Sequence, residues 1–293
     1  PAERKGACQI AQYLKDQGVT LGAVFDEGGG PSIEKGEAFD GVRVTLFVAE
    51  KGSVDYEIFA ETDGGHSMMP GRSTALGLVA RAITSIEEHP LPYRLTPLTV
   101  LSFQAQARLE TGRKAEVLAD PEAHFDELVK LAEEDKFLDA ELHTTFAATM
   151  ASGSGQSNVL PIRASAVVNS RLLQGDTIES VENYIRSLLP EGAQVRHLNG
   201  NNPTPDIVPG GRVFELIEAI EKDRLGENLV MVPELLPGGT DSRNYVGICD
   251  NVYRYTGIIS NGNAGPAHGI NEYYDVANAP SSIAFYMEFL KRY

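Results

Sequence analysis

The stretch Val42–Thr62, VRVTLFVAEKGSVDYEIFAET, changes its pattern half-way along. Val42–Glu50 is an apolar strand, and Lys51-Gly52 interrupts it. From Ser53 on, Val54, Tyr56, Ile58 and Ala60 alternate with Asp55, Glu57 and Glu61. That period of two belongs to a half-exposed strand, and so to a different sheet from the run before it. A domain boundary therefore falls near Gly52.

Downstream, the loop DGGHSMMPGR (Asp63–Arg72) carries His66 and leads into an amphipathic helix over Thr74–Glu88, with Ser73 or Thr74 as its N-cap. Leu91–Leu142 reads as helical pieces and loops, with Phe125–Glu134 the clearest helix and no repeat. A strand follows at Thr144–Ala151, then a Gly/Ser loop, Asn158-Val159-Leu160-Pro161, and a strand over Ala164–Leu173 that carries Arg171. Asp176–Leu189 is a helix with Ile178, Val181, Tyr184, Ile185 and Leu188 on one face, opened by Asp176 as N-cap with Glu179 three residues on. Ala193–His197 is a last strand. The order strand, helix, insert, strand, strand, helix, strand is that of a ferredoxin-like α+β sandwich. The polar, proline-rich Asn201–Gly210 is its exit. The expected domains are residues 1–51, an inserted domain at 52–200 with a helical insert at about 91–142, and 201–293.

Upstream, a helix over Gly6–Gln17 precedes a strand at Val19–Phe25 that ends in Asp26-Glu27 and three glycines. The glycines permit a tight turn that leaves a carboxylate accessible, and strand alternation lets only one of Asp26 and Glu27 face a given site. After the exit linker come a helix (Arg212–Lys222), a strand (Leu229–Leu235) and the turn Pro237–Arg243, PGGTDSR. A Gly-Gly-Thr turn at a helix start offers backbone N–H groups to an anion. No phosphate-binding GxxxxGK[ST] or GxGxxG pattern accompanies it. A strand at Asn251–Ile259, the loop NGNAGPAHGINE (Asn261–Glu272) with His268, and a helix at Ser281–Arg292 close the chain.

Composition bounds the function. The 293 residues suit two domains, and a net charge of −16 excludes nucleic acid and anionic membranes as partners. Cys8 and Cys249 stand apart, outside any CxxC or Cys/His cluster, so a thiolate zinc site is not expected and a reducing, cytoplasmic compartment is the default. No apolar run reaches membrane-spanning length. The chain opens Pro-Ala-Glu without Met and enters a helix almost at once, which suggests that an upstream portion is missing.

Six blocks in order carry a resemblance: VFDEGG (Val24–Gly29), GGHSMMPG (Gly64–Gly71), NVLP (Asn158–Pro161), NSR (Asn169–Arg171), PGGTDSR (Pro237–Arg243) and HGINE (His268–Glu272). Together they resemble the zinc aminohydrolases of the aminoacylase, glutamate carboxypeptidase and carboxypeptidase S type, nearest the carboxypeptidase S branch. The resemblance implies an α/β fold: a zinc-exopeptidase-like α/β/α catalytic domain interrupted by a ferredoxin-like lid that dimerises. It implies two zinc ions and hydrolysis of an amide next to a free carboxylate, in a peptide or N-acyl amino acid. By the same resemblance Glu27 and His268 are metal ligands, His66 stabilises the oxyanion in the partner subunit's site, Asn158 and Arg171 bind the substrate's carboxylate or carbonyl oxygens, and Gly239 and Thr240 contact the same end of the substrate. The bland counterparts are a turn cap for Asn158, a carboxylate partner on the lid sheet for Arg171 and plain exposure for His66. Met68 and Met69 beside His66 suggest an apolar wall for a hydrophobic acyl or side-chain group.

The departure from that family is at its N-terminal blocks. Its His-x-Asp ligands, bridging aspartate and paired glutamates, one of them the general base, have no counterpart in a usable place. His124-Phe125-Asp126 is the one His-x-Asp, and it lies in the insert. The chain is thus expected to be an inactive fragment of an active hydrolase. The alternative is a non-catalytic dimerising or ligand-binding protein.

Overall fold

The computed structural model describes residues 6–205, 207, 209–260, 270–273 and 275–293. In chain order the helices are α1 (Ala7–Asp16), α2 (Ala75–Glu88), α3 (Pro97–Ala107), α4 (Gly112–Ala119), α5 (Phe125–Glu134), α6 (Lys136–Leu142), α7 (Ile178–Leu188), α8 (Gly211–Leu225) and α9 (Ala279–Arg292). The strands are β1 (Val24–Gly29), β2 (Pro31–Lys35), β3 (Asp40–Glu50), β4 (Gly52–Glu61), β5 (Gly65–His66), β6 (Thr145–Ser152), β7 (Val159–Leu160), β8 (Arg163–Leu172), β9 (Ala193–Asn201), β10 (Leu229–Leu236) and β11 (Val252–Tyr255). Two compact units result. One comprises Lys51–Arg94 and Lys136–Thr204, and the other the chain up to Glu50, Leu95–Asp135 and Pro205–Tyr293.

In the first unit the alternation that begins at Ser53 becomes β4, one of the two inner strands of an antiparallel sheet ordered β6-β8-β4-β9. The even-numbered side chains Val54, Tyr56 and Ile58 are buried against Ala82 and Ile86 of α2 and Val181 and Ile185 of α7. The Tyr56 hydroxyl donates to the Ile178 carbonyl at 2.8 Å, tying the sheet to the start of α7. The element order β4, α2, β6, β8, α7, β9 is the split βαβ arrangement read from the sequence. Thr74 caps α2, its hydroxyl accepting from the Gly77 N–H at 3.0 Å. The cap of α7 differs from expectation. Thr177 and Ser180 form the reciprocal box, at 3.0 and 2.9 Å, in place of Asp176 and Glu179. Asp176 is drawn away by an ion pair with Arg94 at 2.9 Å and by the Thr144 hydroxyl.

That ion pair belongs to a polar cluster around the chain crossings of this unit. Lys51, which is fully buried, donates from Nζ to the carbonyls of Ala140 and His143, each at 2.7 Å. Arg94 donates to the Gln174 carbonyl at 2.9 Å, and the Gln174 amide reaches the Thr204 carbonyl at 3.4 Å. Asp139 accepts from the Tyr93 hydroxyl at 2.6 Å and lies 3.2 Å from His143 Nε2.

The second unit is built on a mixed sheet ordered β1-β11-β3-β10, with β2 paired to β3. β1 runs parallel to β11 and β10 parallel to β3, whereas β11 and β3 are antiparallel. Phe25 of β1 meets Phe285, Tyr286 and Phe289 of α9 edge-on, at centroid separations of 5.8, 5.7 and 4.8 Å. The ladder of β1 starts only at Val24, and Leu21 makes an isolated bridge to Cys249. The segment expected to lie within the inserted domain falls otherwise. Leu95–Asp135 belongs with the second unit, and α3 packs on β10, burying Leu98, Thr99, Ser102 and Phe103. Only α6 stays with the first unit. Short helices without strands around them carry no mark of which sheet they cover, so pattern alone assigns them to the nearest domain in sequence.

Candidate functional site

In the second unit β1 delivers Asp26 and Glu27 to its end, and the glycines that follow let the backbone close in. Gly28 has φ +146°, and a Cβ there would lie 2.8 Å from Arg254 Cβ. Asp26 turns inward: its carboxylate accepts from the Ser242 N–H at 2.7 Å and from the Glu27 N–H at 2.8 Å. Glu27 is exposed and its carboxylate has no hydrogen-bond or ion-pair partner among the described residues. The alternation argument, that one carboxylate faces inward and the other stays accessible, is what the strand produces.

The turn after β10 does bind an anion, but the anion is the chain's own. Glu50, the last residue of β3, is fully buried. Its Oε1 accepts from the Thr240 N–H at 3.1 Å, the Thr240 hydroxyl at 2.7 Å, the Ser242 hydroxyl at 3.3 Å and Arg254 Nε at 2.7 Å. Arg243 Nη1 stands 3.4 Å from Oε2. Gly239 leaves room for that approach, since a Cβ there would meet Arg243 Nη1 at 3.0 Å and Glu50 Oε2 at 3.5 Å. The Thr240 N–H, expected to face a substrate, and the Thr240 hydroxyl are thus spent on Glu50. Arg254 is also fully buried; burial lowers its pKa, while Glu50 and then Asp26 act the other way.

Sequence reading passed over both Glu50 and Arg254. The signal was a lone charge within an apolar strand, at the end of VRVTLFVAE and in the middle of VYRY. Charged residues are almost never fully buried unless paired, so each implied a partner.

In the first unit β5 and β7 form a two-residue antiparallel ladder, with His66 opposite Val159. The Ser67 N–H donates to the Asn158 carbonyl at 3.0 Å, so the corner brings His66 and Asn158 together. His66 Nδ1 accepts from the Met68 N–H at 3.2 Å. An imidazole that accepts at Nδ1 is neutral and carries its proton on Nε2. Met68 and Met69 are 72% and 73% exposed beside it. Arg171 is elsewhere. It lies near the end of β8 opposite Ser53, whereas Arg163 at the start of β8 is opposite Glu61, just before the His66 loop. Eight residues of strand separate the two ends, roughly 26 Å. Arg171 is half-buried, and no carboxylate pairs with it among the described residues.

His268 lies outside the described residues. Among those described, no group of three or more His, Cys, Asp or Glu side chains is placed to hold a metal ion. Glu27 has the chemistry of a metal ligand, an exposed carboxylate with nothing else to bind, but it supplies one donor where a zinc site takes three or four from protein.

The peptidase dimerisation domain model of the M20 type matches residues 48–196. Human N-fatty-acyl-amino acid synthase/hydrolase PM20D1 is 25% identical over 291 residues, covering 98% of this chain and 58% of the relative. A probable carboxypeptidase S-like protein of Dictyostelium discoideum is 27% identical over 291 residues, covering 97% and 56% respectively. The chain therefore spans little more than half the length of these curated relatives. An M20 family metallo-carboxypeptidase of Sulfolobus solfataricus shares the fold, with a TM-score of 0.57 at 17% identity over 96% of this chain and 66% of that one. With a match that spans most of the ferredoxin-like unit and the 95–135 segment it encloses, the chain belongs to the M20 peptidase family.

Proposed function

We propose that the full-length protein is a metal-dependent hydrolase of an amide or peptide bond next to a free carboxylate, acting as a homodimer through its ferredoxin-like unit. The observation that carries this reading is the separation of His66 and Asn158 from Arg171 along β8, with no ion-pair or side-chain hydrogen-bond partner engaging Asn158 or Arg171 among the described residues. A dipeptide spans roughly 7 Å when extended. The two ends of β8 lie about 26 Å apart, and with His66 and Asn158 on the β5-β7 corner beyond one end and Arg171 at the other, they are read as serving two sites, one in each subunit.

On this reading Arg171 binds the substrate carboxylate in its own subunit through a planar fork of N–H donors, which Lys could not reproduce. His66 donates its Nε2 proton to the oxygen that becomes negative in the partner's site, and the Met68 N–H holds the tautomer that makes this possible. Asn158 lies at the same corner and binds the same end of that substrate. Glu27 and His268 are ligands to the two zinc ions of the intact enzyme. When bound, such ions lower the pKa of water and polarise a carbonyl. The remaining ligands and the general base are assigned to the part of the longer relatives that this chain does not span. The exposed Met68 and Met69 favour a hydrophobic acyl or side-chain group on the substrate.

The test is subunit complementation. His66→Ala and Glu27→Ala homodimers of the full-length protein should each lose about a hundredfold or more in kcat. Mixed and re-associated, they should recover a substantial fraction of wild-type turnover, because the hybrid contains one site with neither lesion. Two inactive parents and an equally inactive hybrid would place His66 in its own subunit's site and sink the shared-site reading.

A further inference from the structure

The network behind Glu27 has a single organising member. From Glu50 the contacts run to the Thr240 N–H and hydroxyl and the Ser242 hydroxyl, and from the Ser242 N–H to the Asp26 carboxylate. The other oxygen of Asp26 accepts the Glu27 N–H. A second route runs from Glu50 to Arg254, whose Cβ lies close under Gly28. Glu27 is thus fixed on its N-terminal side by Asp26 and on its C-terminal side by Gly28, and both depend on one carboxylate buried at the end of β3.

A structural ion pair needs one partner. Among the described residues Glu50 Oε1 takes three hydrogen bonds from the turn and one from β11, and Arg243 of the same turn stands beside Oε2. By contrast Glu234, buried in the neighbouring β10, is engaged among the described residues by Arg43 alone and has no link there to β1. Two buried carboxylates on adjacent strands therefore differ in what they hold.

We propose that Glu50 is a positioning residue: it sets the Thr240–Ser242 turn and, through Asp26 and Gly28, the direction in which Glu27 presents its carboxylate. This rests on the reading of Glu27 as a metal ligand. Groups that orient a ligand commonly change metal affinity by about ten- to a hundredfold when altered. Glu50 does so without touching metal or substrate.

The experiment compares Glu50→Gln, Thr240→Val and Glu234→Gln in the full-length protein, reading zinc affinity by competition with a chromophoric chelator, kcat and KM, and the melting temperature. Glu50→Gln and Thr240→Val should each weaken zinc binding by about tenfold or more and lower kcat with little change in KM. Glu234→Gln should lower the melting temperature and leave zinc affinity and kcat unchanged. Thr240→Val removes one hydroxyl and no charge, so it reports even where Glu50→Gln fails to fold. Wild-type zinc affinity and kcat in Thr240→Val, or losses in Glu234→Gln equal to those in the other two, would overturn the proposal. A wild-type protein that neither binds zinc nor hydrolyses amides would instead overturn the proposed function, a result distinct from either.

Discussion

Lys51 shows at the scale of one residue how burial and charge compete. Its ammonium donates to two carbonyls, yet removal from water lowers its pKa from 10.5 to about 7, with the Arg171 cation adding to the fall and Asp139, Asp176 and Glu141 opposing it. The unfolded chain keeps this proton up to the ordinary lysine value, whereas the folded chain releases it near neutrality. Between the two the unfolded state binds more protons, so this contribution to stability rises with pH, by at most about 1.4 kcal/mol per pH unit. Below about pH 7 both states are protonated and the contribution is flat. Urea unfolding between about pH 6 and about pH 10 should show wild type gaining on Lys51→Met as pH rises; parallel curves would mean that Lys51 stays charged when folded. Arg171, a few residues away on β8, makes a kinetic prediction. On the proposed function, Arg171→Ala in the full-length protein should raise KM for carboxylate substrates, by roughly tenfold or more, with kcat nearly kept. Unchanged kinetics would remove Arg171 from the site.

Among elements, β6 stands out. It forms one edge of the ferredoxin-like sheet, and Ala147–Ser152 are exposed on both faces, whereas β8 beside it alternates buried and part-exposed positions. An open edge normally carries charge, proline or a bulge to prevent pairing. β6 has one irregularity, between Ala148 and Met150, and no charged residue, while the opposite edge β9 carries Arg196 and His197. The uncharged edge is therefore the one suited to meet a second copy. If the protein pairs as proposed, Met150→Lys should shift the dimer to monomer at concentrations where wild type is dimeric, as read by sedimentation velocity; an unaltered dimer would exclude β6 from the interface. The sequence made the strands and α7 legible because their apolar periods are long, and Thr74 because a cap needs one hydroxyl at one place. It misplaced the cap of α7, since Asp176 is claimed by Arg94, more than eighty residues earlier. Such a claim has no local trace.

For the molecule as a whole, the change of period at Gly52 falls beside Lys51, where the first compact unit begins, and the six short motifs marked the candidate residues without the distances between them. What they could not convey is that His66 sits on a two-residue ladder beyond the Glu61–Arg163 end of the sheet whose other end holds Arg171, because motif order says nothing of register. Nor could helical pieces at 95–135 declare which sheet they would cover. The seam itself has a further property. Glu50 and Lys51 are neighbours in sequence, both fully buried, and each is buried in a different unit. A cut between them would create a new carboxyl terminus next to a buried carboxylate and a new amino terminus next to a buried ammonium, each adding like charge where none is tolerated. Recombination between related genes can exchange the ferredoxin-like unit cleanly in the polar stretch after Asn201. At its other border the exchange leaves Glu50 with Thr240, Ser242 and Arg254 and Lys51 with Ala140 and His143, each within its own unit, but it also carries Leu95–Asp135, whose α3 packs on β10, so the unit travels only with a piece of its host.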